Sequence, residues 1–288
     1  MLAGLSGLAK VITPSCKIAI VPQTPQLALD AAHAAALAIQ EQVMDHFAPV
    51  WGQSAIVTAL AAPAAGYFPI FVKDTAPFGL PGIHTVQGTP YAVVQYGSTW
   101  SLTASHECLE MIADPGANRR WSTTLPDGTP AEYIVEVCDP CQAIQWSYAI
   151  GPWIVSDFVT PHYYDSAAGS GIRYSYRGNV TAPKQVLPGG TVGFIASDGH
   201  ARQVINNGGR IAVVDRGPFQ PGPLTARSYF NLFDKSHTRL SKSAIPARMK
   251  KTLRKSEEAR RIASENLAAM FERDMTAKRV RKKRGGTQ

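Results

Sequence analysis

Four cysteines in 288 residues are too few to staple a small scaffold, so a disulfide-built domain is excluded. Cys138 and Cys141 form a C-x-x-C, but a structural zinc site needs four ligands and the sequence has no second such pair. Together with Cys108 they read most simply as small buried hydrophobes, ahead of a redox or structural-zinc role. A long apolar run is also missing. The alanine-rich stretch 27–39 is broken by Asp30 and His33, well short of the ~20 apolar residues of a membrane span. No basic segment precedes the mildly apolar residues 1–12, so no secretory signal is read, and a cytoplasmic location with no membrane partner is expected.

Charge is unevenly spread. The net +8 conceals 17 Lys and Arg against 5 Asp and Glu from Lys235 onward, leaving 12 against 16 in the first 234 residues. An acidic body is joined to a strongly basic segment, and the change marks a domain boundary. A hydrophobic fraction of 45% is that of a folded chain able to bury a large core, as one large domain or two small ones.

Residues 100–115 organise the rest. At 100° per residue Leu102, Ser105, Leu109, Ile112 and Ala113 share one helix face, and Thr103, His106, Glu107, Glu110 and Asp114 follow on the adjoining strip. Ser101 is the expected N-cap and Pro115 the expected stop. His106 and Glu110 lie four apart, so an imidazole and a carboxylate point the same way and can bind one metal ion, zinc by the usual ligand chemistry. Glu107 stands beside them as a general base for water. This is the logic of the His-Glu-x-x-His metallopeptidase helix with a carboxylate in place of the second histidine. Glu is common on helices, and the plain alternative is a surface helix with an acidic edge.

Around this helix, the pattern predicts a strand at 17–21 and a helix at 27–47, with Pro25 just ahead. Strands follow at 54–60 and 67–73, where Pro69 marks an edge strand or a strand's first part. A Gly/Pro-rich loop containing His84 covers 74–90, followed by a strand at 91–96. Residues 116–130 read as a loop whose Arg119 and Arg120 can hold a substrate carboxylate but more simply face water. Further strands are expected at 133–139, twice within 143–155, and at 171–177, 191–195 and 210–214. Asn207, Gly208 and Gly209 supply a turn, 217–223 an extended linker, and residues from 246 onward a helical pattern. The expected fold is α+β: a small mixed sheet packed on a backing helix and the His106–Glu110 helix, then a β-rich region and a basic C-terminal helix. The expected divisions are 1–165, 166–234 and 235–288.

Over residues 25–165 this order of elements, with its His-Glu helix, resembles the core of a zincin-type metallopeptidase: a backing helix, a small twisted sheet whose last strand forms the cleft rim, and a helix carrying His-Glu. Ser105, His106, Glu107, Glu110, Met111, Asp114 and Pro115, followed by Glu136, Val137, Cys138, Asp139 and Pro140, are also similar to an uncharacterised bacterial and phage protein family. The zincin resemblance implies a zinc-dependent peptidase acting on a peptide or protein. A metzincin would continue with Gly and then His, but here Ala113 and Gly116 stand at those offsets. The resemblance to gluzincins implies instead a later acid as third ligand, Asp139 first and Glu136 close behind. His162 is the alternative, although a histidine among aromatics is more often a packing residue. Tyr163 and Tyr164 can donate to an oxyanion and can equally be core.

The last residues include Arg279, Arg281, Lys282, Lys283 and Arg284. Such a run contacts any polyanion, nucleic acid included, and is equally a solubilising tail. Two functions are therefore expected: a metal-dependent hydrolase, or a non-catalytic structural or binding protein, phage-associated or self-assembling, whose basic tail contacts nucleic acid or a partner.

Overall fold

Parallel strands need a crossover between them, and the chain supplies an alanine-rich helix. The computed structural model describes residues 12–222 and 224–233; the basic segment with Arg279, Arg281, Lys282, Lys283 and Arg284 lies outside them. Strand β1 (Cys16–Pro22) leads to α1 (Leu29–Glu41), a π-helical turn (Gln42–Phe47) and α2 (Ala48–Trp51). The chain then returns as β2 (Ala55–Ala59), parallel to β1. Ala31, Ala32, Ala35 and Ala36 are buried on α1, small side chains that let the helix pack closely on the sheet. The single helix expected at 27–47 is thus two pieces, α-helical to Glu41 and π-helical from Gln42 to Phe47, and the helical path continues past the expected end as α2.

Strands β3 (Phe68–Lys73), β4 (Gly82–Gln87) and β5 (Thr89–Gln95) complete a five-stranded sheet in the order β2-β1-β3-β5-β4. All neighbours are parallel except β4, which runs antiparallel to β5 at the edge. β3 is central rather than an edge; Pro69 is tolerated because it is the second residue and pairing with β5 begins only at Ile70. Ile18, Ile20, Val57, Ile70, Val72, Ala92 and Val94, alternate residues of these strands, join α1 and α3 (Trp100–Ala113) in one core.

A second, antiparallel sheet has the order β12-β11-β10-β7-β6, built from β6 (Arg120–Thr124), β7 (Pro130–Ile134), β10 (Thr191–Ala196), β11 (His200–Asn207) and β12 (Arg210–Pro218). Strands β8 (Tyr148–Ile150) and β9 (Trp153–Val155) form a hairpin, and α4 (Ala226–Asn231) follows β12. The division expected at residue 165 runs through the second sheet, since β6 and β7 precede it and β10 to β12 follow it. Residues 171–177 are not a strand; only Ser175 makes a bridge, to Val159. The loop expected at 116–130 contains β6, and β11 lies where no strand was expected. The whole is α+β. Among the described residues no helix is long and apolar enough to cross a membrane.

Candidate metal centre

Helix α3 carries the motif in a setting that excludes a surface role. Every residue of it but Thr103 is buried, with Glu110 fully enclosed and His106 only 8% exposed. The acidic-edge alternative fails on that burial. Thr99, not Ser101, is the N-cap residue; Ser101 lies inside the helix and its Oγ donates to the Ile154 carbonyl at 3.0 Å. The first turn is therefore tied to the β8–β9 hairpin.

The helical spacing brings His106 and Glu110 together as expected, Nε2 to Oε2 at 3.2 Å. His84, expected in a loop, sits instead on strand β4 and is 1% exposed. Its Nδ1 meets Glu107 Oε2 at 3.0 Å and lies 3.4 Å from Glu110 Oε2. Its Nε2 faces Glu136 Oε2 at 3.9 Å. β4 can lie this close to α3 because residue 82 is glycine: a Cβ there would stand 2.4 Å from Thr103 Cγ2 and 2.6 Å from Glu107 Oε1.

The segment after β7 closes the cluster from the other side. Cys138 N–H donates to Glu110 Oε1 at 3.1 Å, and Asp139, on a 3-10 turn, places Oδ1 3.3 Å from His106 Nε2. Arg227 of α4 enters last. Its Nη1 donates to Asp139 Oδ2, with Nε 3.6 Å from Glu136 and Nη2 3.9 Å from Glu110. A cleft reaches this cluster through His106, Glu107 and Arg227, which line it with Leu80, Gly82 and Thr103. Glu110 and Glu136 lie behind.

Protonation follows from burial and these neighbours. Burial alone would lower His84, but the hydrogen bonds and charges of Glu107 and Glu110 outweigh it and hold the imidazole at about 9. His106 is raised well above its usual value against the same burial penalty, by Glu110 and Asp139. For Glu110 the cations His106 and Arg227 overcome burial and keep its carboxyl well below the carboxylate range. Glu136 goes the other way: burial, with Glu110 and Asp139 nearby, pushes it well up despite Arg227.

Buried His, Glu and Cys groups here can hold a metal ion. Ligand atoms of His106, Glu110 and Cys138 all lie within 4.8 Å of one another, as do those of His84, Glu110 and Glu136. The donor set fits a cation on a second count. His84 Nε2, Glu110 Oε2 and both Glu136 oxygens are buried without a hydrogen-bond partner, although charged groups crowd them at 3.2–3.9 Å. Each orphaned buried polar atom costs about 1–3 kcal/mol, and a shared ion would relieve several at once.

Several expected site residues are placed otherwise. Asp139 touches His106 but is not in either close-packed group and is bound by Arg227; the third place beside His106 and Glu110 is taken by Cys138. Glu136 joins His84 rather than His106. His162 is 55% exposed in its side chain and pairs with Asp165 at 2.8 Å, on a turn that points it to solvent. Tyr163 and Tyr164 are core residues, Tyr164 stacked on Trp121; burial, and for Tyr164 also Glu136, raises their hydroxyls. Arg119 does not wait for a substrate: it donates to the Ala113 carbonyl and Gln53 and lies over Trp51. Arg120 pairs with Glu132. The structure adds His84, Cys138 and Arg227 to the cluster, Cys138 being one half of the C-x-x-C whose simplest reading was a buried hydrophobe. The β-branched Ile83, Thr85 and Val86 around His84 are the one local signal, a strand pattern masked by neighbouring glycine and proline. No family model, curated protein or solved structure matches this chain.

Proposed function

We propose that this chain is a metal-dependent hydrolase, a zincin-type peptidase in which His106, Glu110 and Cys138 hold zinc. The observation that carries the reading is the convergence of His106, Glu110 and Cys138, with His106 and the neighbouring Glu107 lining a cleft. A thiolate and an imidazole favour zinc over harder cations. Bound there, the ion would supply Lewis-acid polarisation and acidify water. The chain's own part is separate. Glu107 faces the cleft, and His84, bonded to its Oε2, orients the carboxylate so that Oε1 is left to take a proton from water and pass it to the leaving amine. The enclosing core excludes bulk water.

Glu107→Gln should retain zinc and lose peptide cleavage by at least 10²-fold, measured on a peptide library together with metal content. His106→Ala should lose the ion. Equal zinc in His106→Ala and the unaltered chain would sink the reading.

A second reading has one observation behind it. Arg227 already sits among Glu110, Glu136 and Asp139, as it would in a metal-free ion network serving only the fold. The chain would then be a structural or binding protein, its basic C-terminal segment contacting a polyanion. Absence of zinc in the purified protein favours this version, and unchanged retention on immobilised DNA after deletion of residues 278–288 removes the polyanion role.

A further inference from the structure

Glu110 belongs to two ligand sets at once. It packs with His106 and Cys138 toward α3 and the segment after β7, and with His84 and Glu136 toward β4. We propose that His84, Glu110 and Glu136 form a second cation site, so that Glu110 bridges two divalent ions, one on each set. The proposal rests on the cluster being a metal centre and is independent of peptide hydrolysis.

Two observations carry it. A histidine that ligates a metal characteristically turns one ring nitrogen to the ion and donates the other N–H to a carboxylate. His84 has that disposition: Nδ1 is bonded to Glu107 Oε2 at 3.0 Å, while Nε2 is buried with no hydrogen-bond partner. Its tautomer is thus set by a residue outside the ligand group.

Nε2 next faces Glu136 Oε2 at 3.9 Å. That is too long for a hydrogen bond and within the span of two metal–ligand bonds of about 2.0–2.2 Å. Both Glu136 oxygens are otherwise without a hydrogen-bond partner although the residue is 2% exposed. Two elements distant in sequence therefore present bare, buried donor atoms to one point.

One histidine and two carboxylates form a harder set than the one holding Cys138, suited to zinc and also to manganese or iron.

The full chain, stripped with a chelator and reloaded, decides the matter by counting metal. Zinc should bind at two equivalents in the unaltered chain and at one in His84→Ala. With cobalt as the probe, the thiolate-to-metal absorption from Cys138 should persist in His84→Ala and vanish in His106→Ala. Where His84→Ala does not give a cooperative melt, the nearly isosteric Glu136→Gln should show the same drop by one equivalent. Equal counts in the unaltered chain and either variant overturn the second site while leaving the His106 site standing. Loss of all metal, cobalt band included, in a folded His84→Ala overturns it as well, because one ion would then serve both sets. No metal in the unaltered chain overturns both this proposal and the reading it rests on.

Discussion

Gly82 sets how closely β4 approaches α3, and with it whether His84 can reach Glu107. A methyl group there would stand 2.4 Å from Thr103 Cγ2 and 2.6 Å from Glu107 Oε1, too close for either, so strand or side chains must shift. Gly82→Ala should therefore push the strand outward, at a cost of about 1–3 kcal/mol for overpacking, and weaken metal binding with it. A thermal melt and a zinc titration read the two effects; unchanged values for both would show that strand and helix are not coupled through this contact. Asp157 gives a second test at the same scale. It is fully buried, with Oδ1 accepting the backbone N–H of Phe158 at 2.9 Å and of Arg177 at 3.0 Å. Burial outweighs those donors and raises its carboxyl from 3.8 to about 6. Because the folded value is the higher one, the folded state holds the proton more tightly. That contribution is full below about pH 4 and is lost as pH rises through about 6, a change of about 3 kcal/mol. Asp157→Asn should flatten this part of the stability profile, followed by urea melts at pH 4.5 and 7; an identical slope in the variant would exclude Asp157 as its source.

Elements are held in register by a buried polar knot. Gln42, the first residue of the π-helical turn, donates from Nε2 to Tyr148 Oη at 3.0 Å and to the Ser156 carbonyl at 2.7 Å. Its Oε1 accepts from Ser105 Oγ at 2.7 Å, and Ser105 Oγ in turn accepts the Ser156 N–H at 2.9 Å. Ser105 precedes His106, so the knot fixes the rotation of α3 about its axis. Ser105→Ala strips Gln42 Oε1 and the Ser156 N–H of these partners and should cost about 1–3 kcal/mol in a denaturant melt. No change in midpoint would mean that water or another group takes over. How much could be read in the sequence divides along the same line. The His106–Glu110 pair and the stop at Pro115 were legible because helical periodicity is local. Strand β4 was not, since Gly79, Pro81 and Gly82 punctuate its start, and its strand character comes from pairing with β5. Strand β3 was legible as a strand, and of the two places Pro69 allows, an edge or the strand's first part, it occupies the second in a central strand. For β11 the signal is local and legible: Asp198-Gly199 ahead of it is a hairpin turn pair, Gly199 taking φ +79, and the strand alternates in burial.

Across the whole molecule the cluster is assembled from four distant stretches: His84 on β4, the α3 motif, residues 136–139, and Arg227 on α4. Arg227 had no local signature because its role exists only once α4 docks, Thr225 capping it by accepting from Ser228 N–H and the Arg227 N–H donating to the Ala117 carbonyl at 3.1 Å. Among the described residues it is the permanent cation closest to Glu136 and Asp139, at 3.6 Å from the former and hydrogen-bonded to the latter. Removing one partner of a buried ion network exposes the other charges uncompensated, typically at 3–5 kcal/mol. Arg227→Met keeps the volume and deletes the charge, so the chelator-stripped protein should lose about that much stability. A divalent cation would then supply what the guanidinium no longer does, and zinc should raise the melting temperature of Arg227→Met by more than it raises that of the unaltered chain. Differential scanning calorimetry with and without zinc measures both shifts. Equal zinc-induced shifts would show that arginine and metal do not share these carboxylates, and equal stripped stabilities would show that the network contributes nothing to holding α4 on the body of the protein.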